Sequence, residues 1–243
     1  MDLGQLGARI KAMREKRRLR QSDVASALRL SAQAVSKWER GENAPDVSVL
    51  VQLARLLGVS VEWILSGVET EPGTFQATVL TTSLVGYAAR ANAVTPSALA
   101  AWANTIHYAV TEAVLRHDGV PIKCVGDGSL SFFSGAGQAQ RAVMASIDAQ
   151  STCDHSELVV VLHTGPIFLG SVGHPDYART DIIGATVNTA FLLSDYVASH
   201  CATRIGLTQA VRDGLNEEMK TEARGQASVL GVTEPVQVFE PVP

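Results

Sequence analysis

A short polar segment, residues 67–73, divides this chain into two parts of opposite charge. The segment reads GVETEPG, and its Gly and Pro interrupt regular structure. Residues 1–68 hold 11 Lys and Arg against 7 Asp and Glu, a net charge of +4, whereas residues 69–243 hold 9 against 17, a net charge of −8. We therefore predict a small basic domain over 1–68, a linker over 69–74 and a larger acidic domain over 75–243.

The composition excludes several classes of protein. Hydrophobic residues make up 46% of the chain and charged residues 18%, so a core can form and a wholly disordered chain is excluded. No apolar run approaches the ~18 residues of a membrane span, and the first residues lack a signal-peptide core. Cys124, Cys153 and Cys201 have no CxxC spacing, which argues against a disulfide framework or a cysteine zinc site. We expect a cytoplasmic protein without a membrane partner.

The basic part is predicted to fold as a compact set of short helices. Leu3, Leu6, Ile10 and Met13 recur at three- or four-residue steps, as on one face of a helix reaching Arg18. A second helix is predicted to begin at Gln21, and a third to span Ala32 to Arg40 with Ser31 as its N-cap. A fourth helix is predicted to have Asp46 or Ser48 as its N-cap and to reach Leu57, and a fifth to span Val61 to Leu65. Two short helices joined by a tight turn suit the major groove of DNA.

Residues 28–45, LRLSAQAVSKWERGENAP, resemble the helix-turn-helix family of the Xre and phage-repressor type. The resemblance covers residues 6–66 and implies a recognition helix over Ser31–Arg40. It implies groove-facing positions at Ala32, Gln33, Ser36 and Lys37, and positions that hold the DNA backbone at Gln21, Arg40 and Asn43. Gln33 can make a bidentate contact to adenine, and Lys37 can reach guanine or phosphate. The alternative is that both are ordinary exposed helix residues.

The acidic part is predicted to be an α+β domain. An Asp-Gly pair at 127–128 between two apolar runs indicates a hairpin, and Thr95-Pro96 opens a long helix. The predicted strands are 75–82, 121–126, 129–133, 157–163, 204–207 and 236–239, and the predicted helices are 97–117, 136–149 and 187–199. A loop or hairpin is expected over 165–173. The order β-α-β-β-α-β fits a ferredoxin-like layer of helices on a sheet.

Three stretches of this part resemble the catalytic domain of class III adenylyl and guanylyl cyclases. They are VLTTSLVGY at 79–87, IKCVGDG at 122–128, and LHTGPIFLGSVG at 162–173 running on to DIIGATVN at 181–188. The resemblance covers about residues 75–241. It implies a site between two antiparallel copies, in which two aspartates of one copy hold two metal ions. From the other copy, a Lys and an Asp or Thr read adenine, while an Asn and an Arg stabilise the transition state.

The resemblance assigns four retained site residues. Lys123 falls at the purine-reading Lys, and Asp181 falls at the Asp or Thr that pairs with adenine. Asn188 falls at the transition-state Asn, and Asp127 at the second metal aspartate. These four assignments imply an adenine nucleotide, bound together with Mg²⁺, as the candidate ligand. Asp127 can also be read as an ordinary hairpin-turn residue.

Two positions depart from the cyclase pattern. Ser83 stands at the first metal aspartate, and a hydroxyl is a weak ligand for a hard cation that prefers carboxylates. Leu192 stands at the arginine position and cannot donate a hydrogen bond to phosphate. Loss of one charge-stabilising donor costs on the order of 10²–10³ in rate. We therefore predict a pseudoenzyme with no catalytic residues.

Together, the two parts predict a DNA-binding transcription regulator. We expect the basic domain to bind double-stranded operator DNA at the nucleoid, and the cyclase-like domain to form a homodimer and sense a small nucleotide ligand. One alternative is an active class III nucleotide cyclase that its helix-turn-helix domain localises or regulates. Another is a DNA-binding protein whose cyclase-like domain serves only as a dimerisation scaffold.

Overall fold

The computed structural model describes residues 2–67, 73–153, 157–174 and 176–242. The chain divides into two compact units, Met1–Pro72 and Gly73–Pro243. Residues 69–72 of the predicted linker lie outside the described residues, and the first strand of the second unit begins at Thr74. No helix within the described ranges combines the length and the apolar character needed to span a membrane.

The first unit is helical, as predicted. Its helices are α1 (Leu3–Lys16), α2 (Gln21–Leu28), α3 (Ala32–Glu39), α4 (Val47–Leu57) and α5 (Val61–Ser66). Helix α1 ends short of the predicted Arg18, because Arg18 has a left-handed backbone with φ 57°. Asp46 caps α4 by accepting from the N–H of Ser48 at 2.9 Å, which decides between the two candidate caps.

The core of the first unit lies between these helices. Leu6 and Ile10 of α1, Val35 of α3, Leu53 of α4 and Ile64 of α5 are completely buried. They recur at the helical spacing that the sequence shows, so each helix turns one apolar stripe inward. The opposite, polar side of α3 therefore faces solvent.

The second unit is a mixed α/β domain built on one sheet. Its strands are β1 (Thr74–Leu84), β2 (Val120–Val125), β3 (Gly128–Ser134), β4 (Leu158–Val172), β5 (Arg179–Ile183), β6 (Ile205–Thr208), β7 (Thr221–Ala227) and β8 (Val236–Pro241). Its helices are α6 (Tyr87–Ala93), α7 (Pro96–Arg116), α8 (Gln138–Thr152), α9 (Ala185–Leu192), α10 (Ser194–His200) and α11 (Gln209–Arg212). The strand order is β2-β3-β1-β4-β6-β8-β7, and β5 pairs with β4. The predicted ferredoxin-like arrangement is confirmed in the first four strands.

Both faces of the sheet are covered by helices. Along β1, Leu80 and Leu84 pack on the side of α7 and α8, whereas Ala77 and Val79 pack on the side of α9 and α10. This alternation follows the two-residue period of a strand. The strands β1 and β3 are therefore buried over most of their length, whereas β2 lies at the exposed edge of the sheet.

Two of the predicted elements have a different extent in the structure. Strand β4 continues past His163 to Val172 and forms a hairpin with β5, so residues 165–172 are strand. A Cβ on Gly165 would lie 2.6 Å from Thr186 Oγ1, so this glycine permits close packing of α9 on the strand. The single helix predicted over 187–199 is two helices, α9 and α10, which meet at Leu193.

Candidate functional site

Helix α3 presents the predicted recognition surface of the first unit. Ser31 caps it by accepting from the N–H of Ala34 at 3.2 Å. Val35 and Trp38 are buried against the core, as predicted. Ala32, Gln33, Lys37, Arg40 and Asn43 are exposed, whereas Gln21 and Ser36 are partly buried. The exposed positions on α3 recur at helical spacing and form one polar face.

A buried ion pair fixes α3 against α1. The Glu39 carboxylate, 3% exposed, accepts from Arg14 Nε at 2.6 Å and from Arg14 Nη2 at 2.9 Å. Gln21 Nε2 donates to the same carboxylate at 2.8 Å, and this hydrogen bond connects the start of α2 to the ion pair. Burial acts to raise the pKa of Glu39, but the hydrogen bonds from Arg14 and Gln21 outweigh it and hold the pKa below its usual value.

This network changes the interpretation of Gln21. The family resemblance places Gln21 at the DNA backbone and implies no role for Arg14 or Glu39. In the structure, one N–H of the Gln21 amide is already used to orient its side chain at the start of α2. Because Arg14 and Glu39 are 25 residues apart in the chain, no local pattern indicates their pairing.

Arg40 has an acidic partner in the same loop. Its Nε donates to Glu42 Oε1 at 2.6 Å, and its Nη2 donates to Glu42 Oε2 at 3.1 Å. A third nitrogen, Nη1, donates to Ser36 Oγ at 2.5 Å. The guanidinium is therefore held beside the recognition helix with its charge offset by Glu42, and a DNA phosphate would compete with that carboxylate.

In the second unit, a pocket of about 710 Å³ opens where β1, the β2–β3 turn, α9 and α10 meet. The residues that line it are Thr82, Ser83, Leu84, Val85, Gly86, Lys123, Val125, Asp127, Gly128, Val159, Phe191, Ser194, Asp195 and Ala198. Three predicted site positions, Ser83, Lys123 and Asp127, thus share one pocket within a single chain. Phe191, Ser194 and Asp195 were not predicted.

The two predicted metal positions lie side by side. Ser83 pairs with Gly128 in the register of β1 and β3, and the Leu84 N–H donates to the Asp127 carbonyl at 3.0 Å. Ser83 Oγ shares a hydrogen bond with Ser194 Oγ at 2.6 Å. At the two aligned positions, one carboxylate therefore lies beside two mutually bonded hydroxyls, where the family pattern has two carboxylates. Over the described residues, no three His, Cys, Asp or Glu side chains are grouped as a metal site requires.

Lys123 and Asp181 contact each other directly. The Lys123 ammonium on β2 donates to Asp181 Oδ2 on β5, and Asp181 Oδ1 accepts from the Ile182 N–H at 2.9 Å. The lysine side chain is 42% exposed and the aspartate 18% exposed, so the pair lies at the surface of the domain. The structure therefore joins the two residues that the resemblance assigned to adenine.

The remaining two positions lie on α9, away from the pocket lining. Asn188 and Leu192 are one helical turn apart and both are exposed. Leu192 is 44% exposed, and its neighbour Phe191 is the residue of this helix that reaches the pocket. A single chain therefore brings together Ser83, Asp127 and Lys123, but not Asn188 and Leu192.

Two family models match the sequence. The helix-turn-helix model matches residues 10–64, and the model of the adenylate and guanylate cyclase catalytic domain matches residues 70–239. The HTH-type transcriptional regulator DicA of Escherichia coli is 38% identical over 69 residues, which are 28% of this chain and 51% of DicA. The chain thus spans about half the length of this curated relative.

Solved structures of nucleotide cyclases share the fold of the second unit. The adenylyl cyclase CyaB from P. aeruginosa matches with a TM-score of 0.61 and 22% identity, covering 72% of this chain and 97% of that one. The guanylyl cyclase Cya2 matches with a TM-score of 0.59 and 20% identity, covering 69% of this chain and 92% of that one. The chain therefore belongs to the adenylate and guanylate cyclase catalytic domain family, and a helix-turn-helix domain of the Xre type precedes that domain.

Proposed function

We propose that this protein is a DNA-binding transcription regulator whose cyclase-type domain is non-catalytic, dimerises and senses a ligand. The observation that carries the proposal is the exposed polar face of α3, with Gln33, Lys37 and Arg40 on one side and the buried Val35 and Trp38 on the other. DicA, which matches this unit, is described as a transcriptional regulator. The core and the capped helix position this face for the major groove of DNA.

Substitutions on α3 test the DNA-binding surface. Gln33→Ala and Lys37→Ala are each expected to reduce discrimination between operator and random DNA by about 1–3 kcal/mol per lost bidentate base contact. Arg40→Ala is expected to weaken binding to all sequences and flatten its salt dependence, because Arg40 contacts phosphate. Quantitative footprinting at several salt concentrations measures both effects.

A matched variant of the arginine's partner sharpens this test. Glu42→Gln removes the charge that offsets Arg40, so binding to all DNA is expected to strengthen, while the ratio of operator to random binding stays constant. If a Gln33/Lys37 double alanine variant protects the operator as well as the parent protein, the assignment of α3 as the recognition helix is wrong.

Dimerisation gives the fusion of the two domains a physical reason. One helix-turn-helix unit makes few DNA contacts, whereas a two-fold pair engages two half-sites. The cyclase-type domain has exposed apolar side chains around α9 and the β4–β5 hairpin: Val125, Phe168, Ile183, Phe191 and Leu192. Such a group of apolar side chains is typical of a protein-interaction surface.

The segment 73–243 is expected to be a homodimer in sedimentation velocity at tens of micromolar. Leu192→Glu should shift it toward monomer, because a charge on α9 would be buried without a partner. Leu230→Glu is the matched control, since Leu230 is 86% exposed and lies away from α9 in the chain. A monomeric parent segment would remove the dimer from the proposal.

The non-catalytic proposal rests on the residues at two positions of the cyclase pattern. Ser83 bonds to Ser194 where a metal site requires a carboxylate, and Leu192 offers no donor to a phosphate. These two residues argue against the alternative of an active cyclase. The joined Lys123 and Asp181 favour a ligand-sensing domain over a scaffold. A ligand there can alter DNA binding only through different affinities for the two arrangements of the dimer.

A further inference from the structure

A second cavity of the cyclase-type domain, the α7 cavity, lies along one side of α7. It measures about 490 Å³, and its lining residues come from α7, from the end of α8 and from Glu157, which precedes β4. Trp102, Ile106, Tyr108 and Ala109 of α7 provide its apolar wall. Of the described lining residues, none is assigned by the cyclase resemblance, so this cavity is separate from the pocket described above.

The charged side chains that line the α7 cavity are mostly acidic. They are Glu112, Arg116 and Glu157. Arg116 Nη1 donates to Asp148 Oδ2 at 3.1 Å, so its positive charge is already offset. Among the residues that the structure describes, Glu112 has no ion-pair partner. Glu112 therefore places an uncompensated negative charge in the cavity wall.

The C-terminal end of α8 adds to the negative potential. Thr152 and Cys153 at this end line the cavity, and the last turn of α8 contains no basic residue. The last carbonyl groups of a helix carry partial negative charge. Burial raises the pKa of the Cys153 thiol, and the charge of Glu157 raises it further, which agrees with a negative potential here. The cavity therefore favours a cationic ligand.

Arg90 of α6 shows how one end of the cavity holds a cation. Its guanidinium carbon lies 4.2 Å from the centre of the Trp102 ring, and its Nη2 donates to Glu157 Oε1 at 3.2 Å. Trp102 Nε1 donates to the other carboxylate oxygen at 3.3 Å. An aromatic ring beside a carboxylate stabilises ammonium and guanidinium groups. Arg90 does not line the cavity itself, so a ligand cation would compete with it for Glu157.

The two carboxylates of the cavity lie at different levels along α7. Glu157 contacts Trp102, and Glu112 is ten residues further along the helix, which corresponds to about 15 Å of helix rise. Over that distance, one metal ion or one ammonium group contacts only one of the two carboxylates. The wall between them is formed by the buried side chains of Ile106 and Ala109. The matching ligand has separate positive charges joined by an apolar chain.

We propose that the α7 cavity binds a linear aliphatic polyamine. One terminal ammonium group binds Glu157 beside Trp102, and the other binds Glu112. The methylene chain between them packs on the apolar wall and on the Tyr108 ring, which is 69% exposed. This site goes beyond the proposed function and does not depend on it, because polyamine binding is measured on the protein without DNA.

Titration calorimetry of the full chain with spermidine, putrescine and n-butylamine tests the ligand class. Spermidine is expected to bind about 5-fold more tightly than putrescine, as one further ion pair at a partly exposed site predicts. Butylamine, with a single charge, should bind more weakly than both. Butylamine binding as tight as that of spermidine, or no spermidine binding at millimolar concentration, would overturn the inference.

Charge variants of opposite sign distinguish this site from general attraction to an acidic domain. Glu112→Gln should weaken spermidine binding about 5-fold, whereas Glu217→Gln at an exposed residue outside the cavity should not. Arg90→Gln removes the competing cation and should strengthen binding, whereas Arg179→Gln, also exposed and outside the cavity, should not. An equal response within either pair contradicts the site.

Tryptophan fluorescence locates the bound polyamine independently of charge. Trp102 is the only tryptophan of residues 73–243, and Trp38 and Trp63 belong to the first unit. Spermidine should change the fluorescence of the full chain, and Trp102→Phe should remove this change while calorimetric binding persists. A fluorescence change that remains in Trp102→Phe would place the ligand outside the α7 cavity.

Discussion

The purified chain, given ATP or GTP with Mg²⁺ or Mn²⁺, is expected to form no cyclic nucleotide above the background of buffer alone. A two-metal displacement needs both carboxylates, and the structure has Asp127 beside a Ser83 that is bonded to Ser194. Leu192 removes a charge-stabilising donor, which alone costs on the order of 10²–10³ in rate. Product analysis by liquid chromatography measures the outcome.

Restoring the two missing groups supplies the positive arm of this experiment. The Ser83→Asp, Leu192→Arg double variant restores the two charged side chains of the family pattern. Any cyclic nucleotide that it forms would show that the retained residues still contribute to one site. The same residue types introduced at the exposed Ser171 and Leu230 provide the control. Turnover by the unmodified chain that Asp127→Ala abolishes would contradict the non-catalytic proposal.

Arg14→Met is expected to destabilise the helix-turn-helix unit by about 3–5 kcal/mol, the usual cost of leaving one partner of a buried ion pair uncompensated. Glu39 would then lie 3% exposed with Gln21 as its remaining hydrogen-bond donor. Hydrogen–deuterium exchange of peptides from α1 to α3 reports on this unit separately. Arg55→Met on the exposed side of α4 is the control and should change little.

The same pair predicts how stability depends on pH. The pKa of Glu39 is held below its usual value, so the network stabilises the unit fully above the unfolded-state pKa of about 4.3 and loses this effect as the pH falls through the folded-state pKa. In Arg14→Met, burial raises the pKa of Glu39, so protonation relieves the variant. The stability difference should therefore shrink on acidification, and a pH-independent difference would contradict this account.

Local signals in the sequence account for much of the fold. The starts of α3 and α7 are correct because Ser31 and Thr95 cap them with their own side chains, an interaction within three residues. The β2–β3 hairpin is predicted correctly, but its two turn residues are Gly126 and Asp127, because Val125 pairs with Gly128 and Gly126 has a φ of 59°. Strand β7 was missed, because its sequence TEARGQA lacks the apolar alternation that marks a strand.

Some features of the candidate sites can also be predicted from the sequence alone. The identities of Ser83 and Leu192, which argue against catalysis, are read from the sequence once the resemblance aligns them. The exposed face of α3 follows equally from its helical period, since Val35 and Trp38 must turn inward. Side-chain identity and local periodicity therefore predict the two domain families and the proposed DNA-binding surface.

Only the tertiary structure decides which side chains meet across the chain. Ser83 bonds to a residue 111 positions away, Lys123 to one 58 positions away and Arg14 to one 25 positions away. Such contacts depend on strand register and helix packing, which bring distant segments together without leaving a periodic trace in the sequence. The lining of the pocket beside Ser83 follows from these contacts, because Asp195 reaches it only through the packing of α10 beside β1.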